Sequence, residues 1–130
     1  MKLFTSTDEL DVRKANRAFY EAIESLDIGR MEEIWLNDDA IECIHPGWTE
    51  RLTGWRDVMQ SWYSIFQNTQ YIEFSLADVR VAVEHDLAIV TCTERIVSSV
   101  NGELLHNDAF ATNAFRRINA RWWMILHHAA

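Results

Sequence analysis

Apolar positions near the start of the chain recur at helical spacing. Val12, Ala15, Phe19, Ala22, Ile23 and Leu26 follow the three-and-four step of one helix face. They predict a long amphipathic helix over about residues 7 to 27. Ser6 and Glu9 stand at capping-box spacing at its start. Gly29 is placed to end it, as a helix C-terminal glycine does. In "RMEEIWL", Met31, Ile34 and Trp35 share one face of a short second helix. "AIECIHP" reads as a short strand that Pro46 stops, because proline cannot donate to a ladder. Gly54 opens a third helix, on which Trp55, Val58, Met59, Trp62, Ile65 and Phe66 match the amphipathic template at every step.

After Asn68 the period changes to two. "YIEFSLADVRVAVEHD" predicts a strand from about Tyr71 that keeps Val79, Val81 and Val83 on one face. A turn at Glu84-His85-Asp86 leads to the strand "LAIVTCTERIVSSV". Asn101-Gly102 is the clearest hairpin signal, since a type I′ turn needs positive φ at both central residues. "ELLHNDAFATNAFRRI" follows, then a turn at Asn119-Ala120 and a closing strand "RWWMILHHA". Three helices holding one short strand among them, followed by a four-strand antiparallel meander, make an α+β chain. A long sheet with helices on one face must curl around them. The expected result is a cone whose open mouth is a natural pocket.

Composition narrows the function more than the fold. The 130 residues form one expected domain, and 48% hydrophobic residues suffice for one core. A formal net charge of -8 repels phosphate backbones and anionic membranes, so neither nucleic acid nor membrane is an expected partner. The densest basic cluster, Arg116-Arg117 with Arg121, is too small for a groove binder. No stretch is apolar for long enough to span a bilayer or to act as a signal peptide. Cys43 and Cys92 stand far apart in apolar runs, which suits buried thiols and a cytoplasmic protein.

Candidate chemistry is sparse. The four glycines are isolated, so there is no phosphate loop or dinucleotide fingerprint. The five histidines show neither HxH nor HExxH spacing, so no metal and no cofactor are expected. His45, at the end of the short strand, is the natural proton acceptor, since imidazole titrates near neutrality. It could instead cap the strand end. Asn113, in the apolar "AFATNAF", could polarise a carbonyl or could satisfy a neighbouring strand. His127 and His128 are adjacent on a strand, so only one can face a cavity. Trp55 and Trp62 share the core-facing stripe, which in a cone can also wall a pocket. Trp48 lies in the loop after Pro46, where it could cover the mouth, and Tyr63 could offer a hydroxyl beside the stripe. Glu94 interrupts an apolar strand and is expected to be exposed rather than buried, because charged groups are seldom buried unpaired.

The strings "LDIGRMEEIWLNDDA", "HPGWTERLTGWRDVMQSW" and "RWWMILHHA", in this order, resemble the NTF2-like superfamily, including its SnoaL-like and ketosteroid-isomerase-like members. The resemblance covers nearly the whole chain. It implies a conical α+β barrel with a cavity and a homodimer through the outer face of the sheet. In ketosteroid isomerases an Asp precedes the proline where His45 stands here, and an acid stands near the place of Asn113. Their helix tyrosine has no clear match, with Ala22 nearest and Tyr20 two residues away. Steroid isomerisation by that route is therefore not implied. The alignment favours His128 as the cavity histidine, beside Trp122, Met124 and Leu126. What the resemblance implies is a small-molecule pocket. It suits a cofactor-free isomerase, lyase or hydratase acting on a small carbonyl or cyclic compound. His45 would be the base, Asn113 or His128 the polariser, and Trp48, Trp55, Trp62, Tyr63 and Tyr20 the ligand-binding side chains. The superfamily also contains non-catalytic binding modules and dimeric association domains, and fold alone does not choose among these.

Overall fold

A computed structural model describes residues 6–130. Three helices and six strands follow one another as α1 (Ser6–Ser25), α2 (Ile28–Glu32), β1 (Glu42–Ile44), β2 (Leu52–Thr53), α3 (Trp55–Gln67), β3 (Tyr71–Glu84), β4 (Leu87–Val100), β5 (Glu103–Ile118) and β6 (Arg121–Ala129). All six strands form one curved, open sheet in the order β2-β1-β6-β5-β4-β3. The meander β3 to β6 is antiparallel, while β1 joins β6 in parallel, so the sheet is mixed. The helices pack against the concave face, and the core lies between.

The N-terminal helix ends earlier than its apolar pattern suggests. Leu26, not Gly29, takes the left-handed conformation after the last turn, at φ 56. Gly29 instead lies within α2, where Asp27 caps the helix by accepting a bond from the Gly29 N–H at 2.9 Å. The Ser6 side chain, and with it the capping-box reading, lies outside the described residues. Trp35 falls beyond α2 and forms an isolated parallel bridge with Met124. The two-residue strand β2 has no sequence signal of its own; it exists because β1 offers an edge.

Three two-residue turns join the meander. Asn101 and Gly102 have φ of 54 and 79, and Asn119 and Ala120 have 52 and 65, as type I′ turns require. Two β-bulges then break the strict alternation. One places an extra residue in β3 between Ala77 and Arg80, and the other places one in β6 between Met124 and Leu126. Each bulge flips which residues face the core beyond it.

Candidate functional site

The cavity is built where β1 ends. Period-two alternation buries Ile41, Cys43 and His45 on one face. His45, Pro46, Gly47 and Trp48 form a type II turn. Proline sits at its second position, Gly47 at its third with φ +81, and the Trp48 N–H donates to the His45 carbonyl at 3.0 Å. This turn folds Trp48 back over the histidine, with ring centroids 4.6 Å apart. Trp62 meets the same imidazole edge-on at 4.6 Å from the helix side. His45 therefore points inward and is 2% exposed.

Its tautomer follows from the neighbouring serine. Ser61 Oγ donates its one proton to the Val58 carbonyl at 2.6 Å. Its 2.8 Å contact with His45 Nε2 must then be a bond donated by the imidazole. The proton sits on Nε2, and Nδ1 keeps its lone pair. Burial pulls the imidazole down from 6.5 to about 4, so it is neutral at neutral pH.

A second histidine faces the cavity, and it is His127 rather than His128. Simple alternation would group His128 with Trp122 and Met124. The extra residue Ile125 in the β6 bulge inverts that order, burying His127 and exposing His128. His127 is oriented by Asn113. The Asn113 amide donates to Asn16 Oδ1 at 2.8 Å and to the Tyr20 hydroxyl oxygen at 3.1 Å. Its own Oδ1 accepts from His127 Nδ1–H at 2.6 Å. Asn113 has thus committed both N–H groups and its oxygen to protein partners, and it does not line the cavity. It is a buried connector, not a free polariser. Burial, then the nearby His45 and His128, hold His127 at about 3, so it too stays neutral.

The connector ends on an acid. Tyr20 O–H donates to Glu94 Oε2 at 2.6 Å. Glu94 is 1% exposed, which overturns its expected place on the open face. Ala88, Val90, Cys92 and Glu94 alternate inward along β4. The sequence hid this because Leu87 and Ile89 make the opposite face equally apolar. Burial raises the carboxyl from 4.5 to about 7, with the Tyr20 bond opposing the rise. Burial likewise pushes the Tyr20 and Cys43 groups up, so both stay protonated.

These groups share a cavity of about 210 Å³. His45, Glu94 and His127 supply its polar wall; Trp48, Trp62, Phe74, Pro46 and four isoleucines supply the rest. Of the remaining expected ligand residues, Tyr20 bonds Glu94 without bordering the cavity, and Trp55 packs against the core without bordering it. Tyr63 is exposed on the outside of α3. Asn16 and Ser61 carried an unread signal, since each is a polar residue on an otherwise apolar helix stripe. Among the described residues no group of three or more His, Cys, Asp or Glu side chains is placed to hold a metal ion. Among the described residues, no helix is long and apolar enough to cross a membrane.

Comparison with known proteins fits this architecture. The family model of the SnoaL-like domain matches residues 12–130. The chain belongs to that family. A solved structure, a candidate dehydratase of the NTF2-like family from Streptomyces avermitilis, is 39% identical, with 97% of each chain covered and a TM-score of 0.90. A candidate calcium/calmodulin-dependent protein kinase type II association domain from Thiobacillus denitrificans is 30% identical over 88% of this chain and 90% of that one, with a TM-score of 0.74. The F-box protein SKIP8 of Arabidopsis thaliana is 32% identical over 115 residues. This SnoaL-like chain spans about half of that protein, covering 47% of it against 88% of its own length.

Proposed function

We propose that this chain is a cofactor-free lyase of the dehydratase kind, acting on a small β-hydroxy carbonyl compound. The observation that carries the reading is the convergence of a neutral imidazole and a carboxyl titrating near 7 on one small cavity. A base and an acid whose environments push them to different protonation states are what an elimination needs. In the proposed step His45 Nδ1 takes the proton alpha to the carbonyl. The Cα–H electron pair forms the C=C bond, the C–O bond breaks, and protonated Glu94 gives its proton to the leaving hydroxyl. Water departs, and a proton passing from the imidazolium back to the carboxylate resets the pair. Ser61 holds the imidazole through Nε2, and Tyr20 holds Glu94 through Oε2, leaving Oε1 to carry the acid proton. The candidate dehydratase at 39% identity supports the same class of reaction.

The test uses 3-hydroxycyclohexanone, whose dehydration product is an enone that absorbs in the ultraviolet. The expected kcat/KM profile is bell-shaped, with limbs near 4 for His45 and near 7 for Glu94. Glu94→Gln should remove the upper limb and lower the rate by about 10²–10⁴-fold. Turnover that survives Glu94→Gln undiminished would overturn Glu94 as the acid, and a cavity that binds such rings without converting them would leave a binding module instead.

A second feature bears on assembly. The outer faces of β4 and β5 leave Leu87, Ile89, Leu104 and Phe110 exposed, which supports a homodimer through this face. The kinase association domain at 30% identity agrees with an associating role for the fold.

A further inference from the structure

Proton positions around the cavity leave it short of donors. His45 keeps a lone pair on Nδ1, because its proton is committed to Ser61. His127 keeps a lone pair on Nε2, because its proton is committed to Asn113. No Lys or Arg lines the cavity among the described residues. A carbonyl oxygen entering here would need a donor that neither histidine can supply, and Asn113 is already saturated.

Apart from the acid proton assigned to Glu94 and the indole of the exposed Trp48, one buried donor remains. Three buried indole N–H groups, of Trp35, Trp55 and Trp62, have no hydrogen-bond partner among the described residues. Of these three side chains only Trp62 borders the cavity. Buried donors are normally paired, so an orphan on a side chain that lines a cavity calls for an acceptor from outside the chain. We propose that the Trp62 indole N–H is the donor to the substrate carbonyl, and that the cavity takes neutral, single-ring carbonyl compounds. A dry cavity of about 150 Å³ holds benzene, so 210 Å³ suits one ring with a few substituents. The absence of a cationic side chain from the lining disfavours carboxylates and phosphates, the more so when Glu94 is ionised. This rests on the elimination reading only for the next step. There the same N–H would stabilise the enolate oxygen that forms as His45 removes the proton, a charge that a fixed donor meets better than it meets a ground-state ketone.

The test separates binding from turnover. The probes are cyclohexanone and methylenecyclohexane, which match in shape and differ in the acceptor. With protein labelled with ¹⁵N at its six tryptophans, the Trp62 indole proton is identified by its loss in Trp62→Phe. It should move downfield with cyclohexanone and stay in place with the alkene. Trp62→Phe should weaken cyclohexanone binding about five- to tenfold and change alkene binding less than twofold. Trp55→Phe, which removes an orphan indole away from the cavity, should change neither. If Trp62→Phe does not fold, the unmodified protein decides, because no indole signal moving selectively with the ketone overturns the proposal. Equal losses for both probes, or exclusion of both rings, also overturn it. Ketone binding through Trp62 without conversion of the hydroxyketone would keep the donor and discard the elimination. Turnover that depends on Glu94 but not on Trp62 would do the reverse, and a Trp62-dependent elimination should lose about 10²-fold in kcat in Trp62→Phe.

Discussion

Three buried titratable side chains make stability depend on pH with opposite signs. Burial holds His45 at about 4 and His127 at about 3, below the 6.5 of a free imidazole. As pH falls through 6.5 the unfolded chain takes up two protons that the fold refuses, so stability is lost toward acid. Glu94 works the other way. Its folded value near 7 lies above its ordinary 4.5, so its contribution is full below 4.5 and is lost as pH rises through 7. Between pH 4.5 and 6.5 two imidazoles oppose one carboxyl, and stability should rise by about 1.4 kcal/mol per pH unit. Glu94→Gln removes the opposing group and should roughly double that slope. Urea midpoints measured through this window check it, and an unchanged slope would mean that Glu94 is ionised in the fold. Little of this was legible from residue type. His45 could be singled out because it precedes the only proline, at a strand end. Glu94 could not, because burial of a charged group depends on partners, and Tyr20 lies 74 residues away.

At the scale of elements, the sequence spoke clearly where local chemistry decides and was silent where pairing decides. The helical stripe of α3, the change of period after Asn68 and the Asn101-Gly102 hairpin are local properties, and the structure has all three. The β6 bulge is not local. It arises because β5 and β6 meet Met124 and Leu126 with Ile125 left over, and it alone decides which of His127 and His128 enters the cavity. The end of α1 is likewise set by Leu26 accepting a left-handed conformation, which no spacing rule anticipates. The turns give a direct test of backbone cost. Ala120 sits at φ 65, where a Cβ is strained, and Gly102 sits at φ 79 with open space around it. Ala120→Gly should therefore stabilise the fold by about 1 kcal/mol, and Gly102→Ala should destabilise it by about 1–2 kcal/mol. Thermal or urea unfolding of the two variants checks both signs, and equal signs would show that packing around the turns, not φ, governs them.

For the molecule as a whole, the two faces of the sheet differ in character. The concave face holds the cavity, so ligand chemistry is confined to residues that alternate inward. The convex face of β4 and β5 carries the exposed apolar side chains that support the proposed homodimer. Leu87, Ile89, Thr91 and Thr93 on β4 stand in register with Arg116, Ala114, Thr112 and Phe110 on β5, which makes a nearly uncharged strip down the middle of the sheet. Phe110 is 75% exposed at its end, an unusual position for a phenylalanine on a lone domain. In the proposed dimer a partner on the convex face would lie against the strands that carry Glu94 and Asn113 without touching the cavity. A homodimer through this strip should bury about 1,600 Å² in total, enough for stable association. Light scattering at micromolar concentration should give twice the mass of the chain, 15.2 kDa. Phe110→Lys should give monomers that keep their folded circular dichroism, because the side chain faces solvent in the single chain and a lysine there leaves the core intact. Ile89→Lys should act alike, since Ile89 lies on the same face one strand away. A wild-type monomer would reject the dimer outright, and a dimer insensitive to both lysines would place the interface elsewhere on the surface.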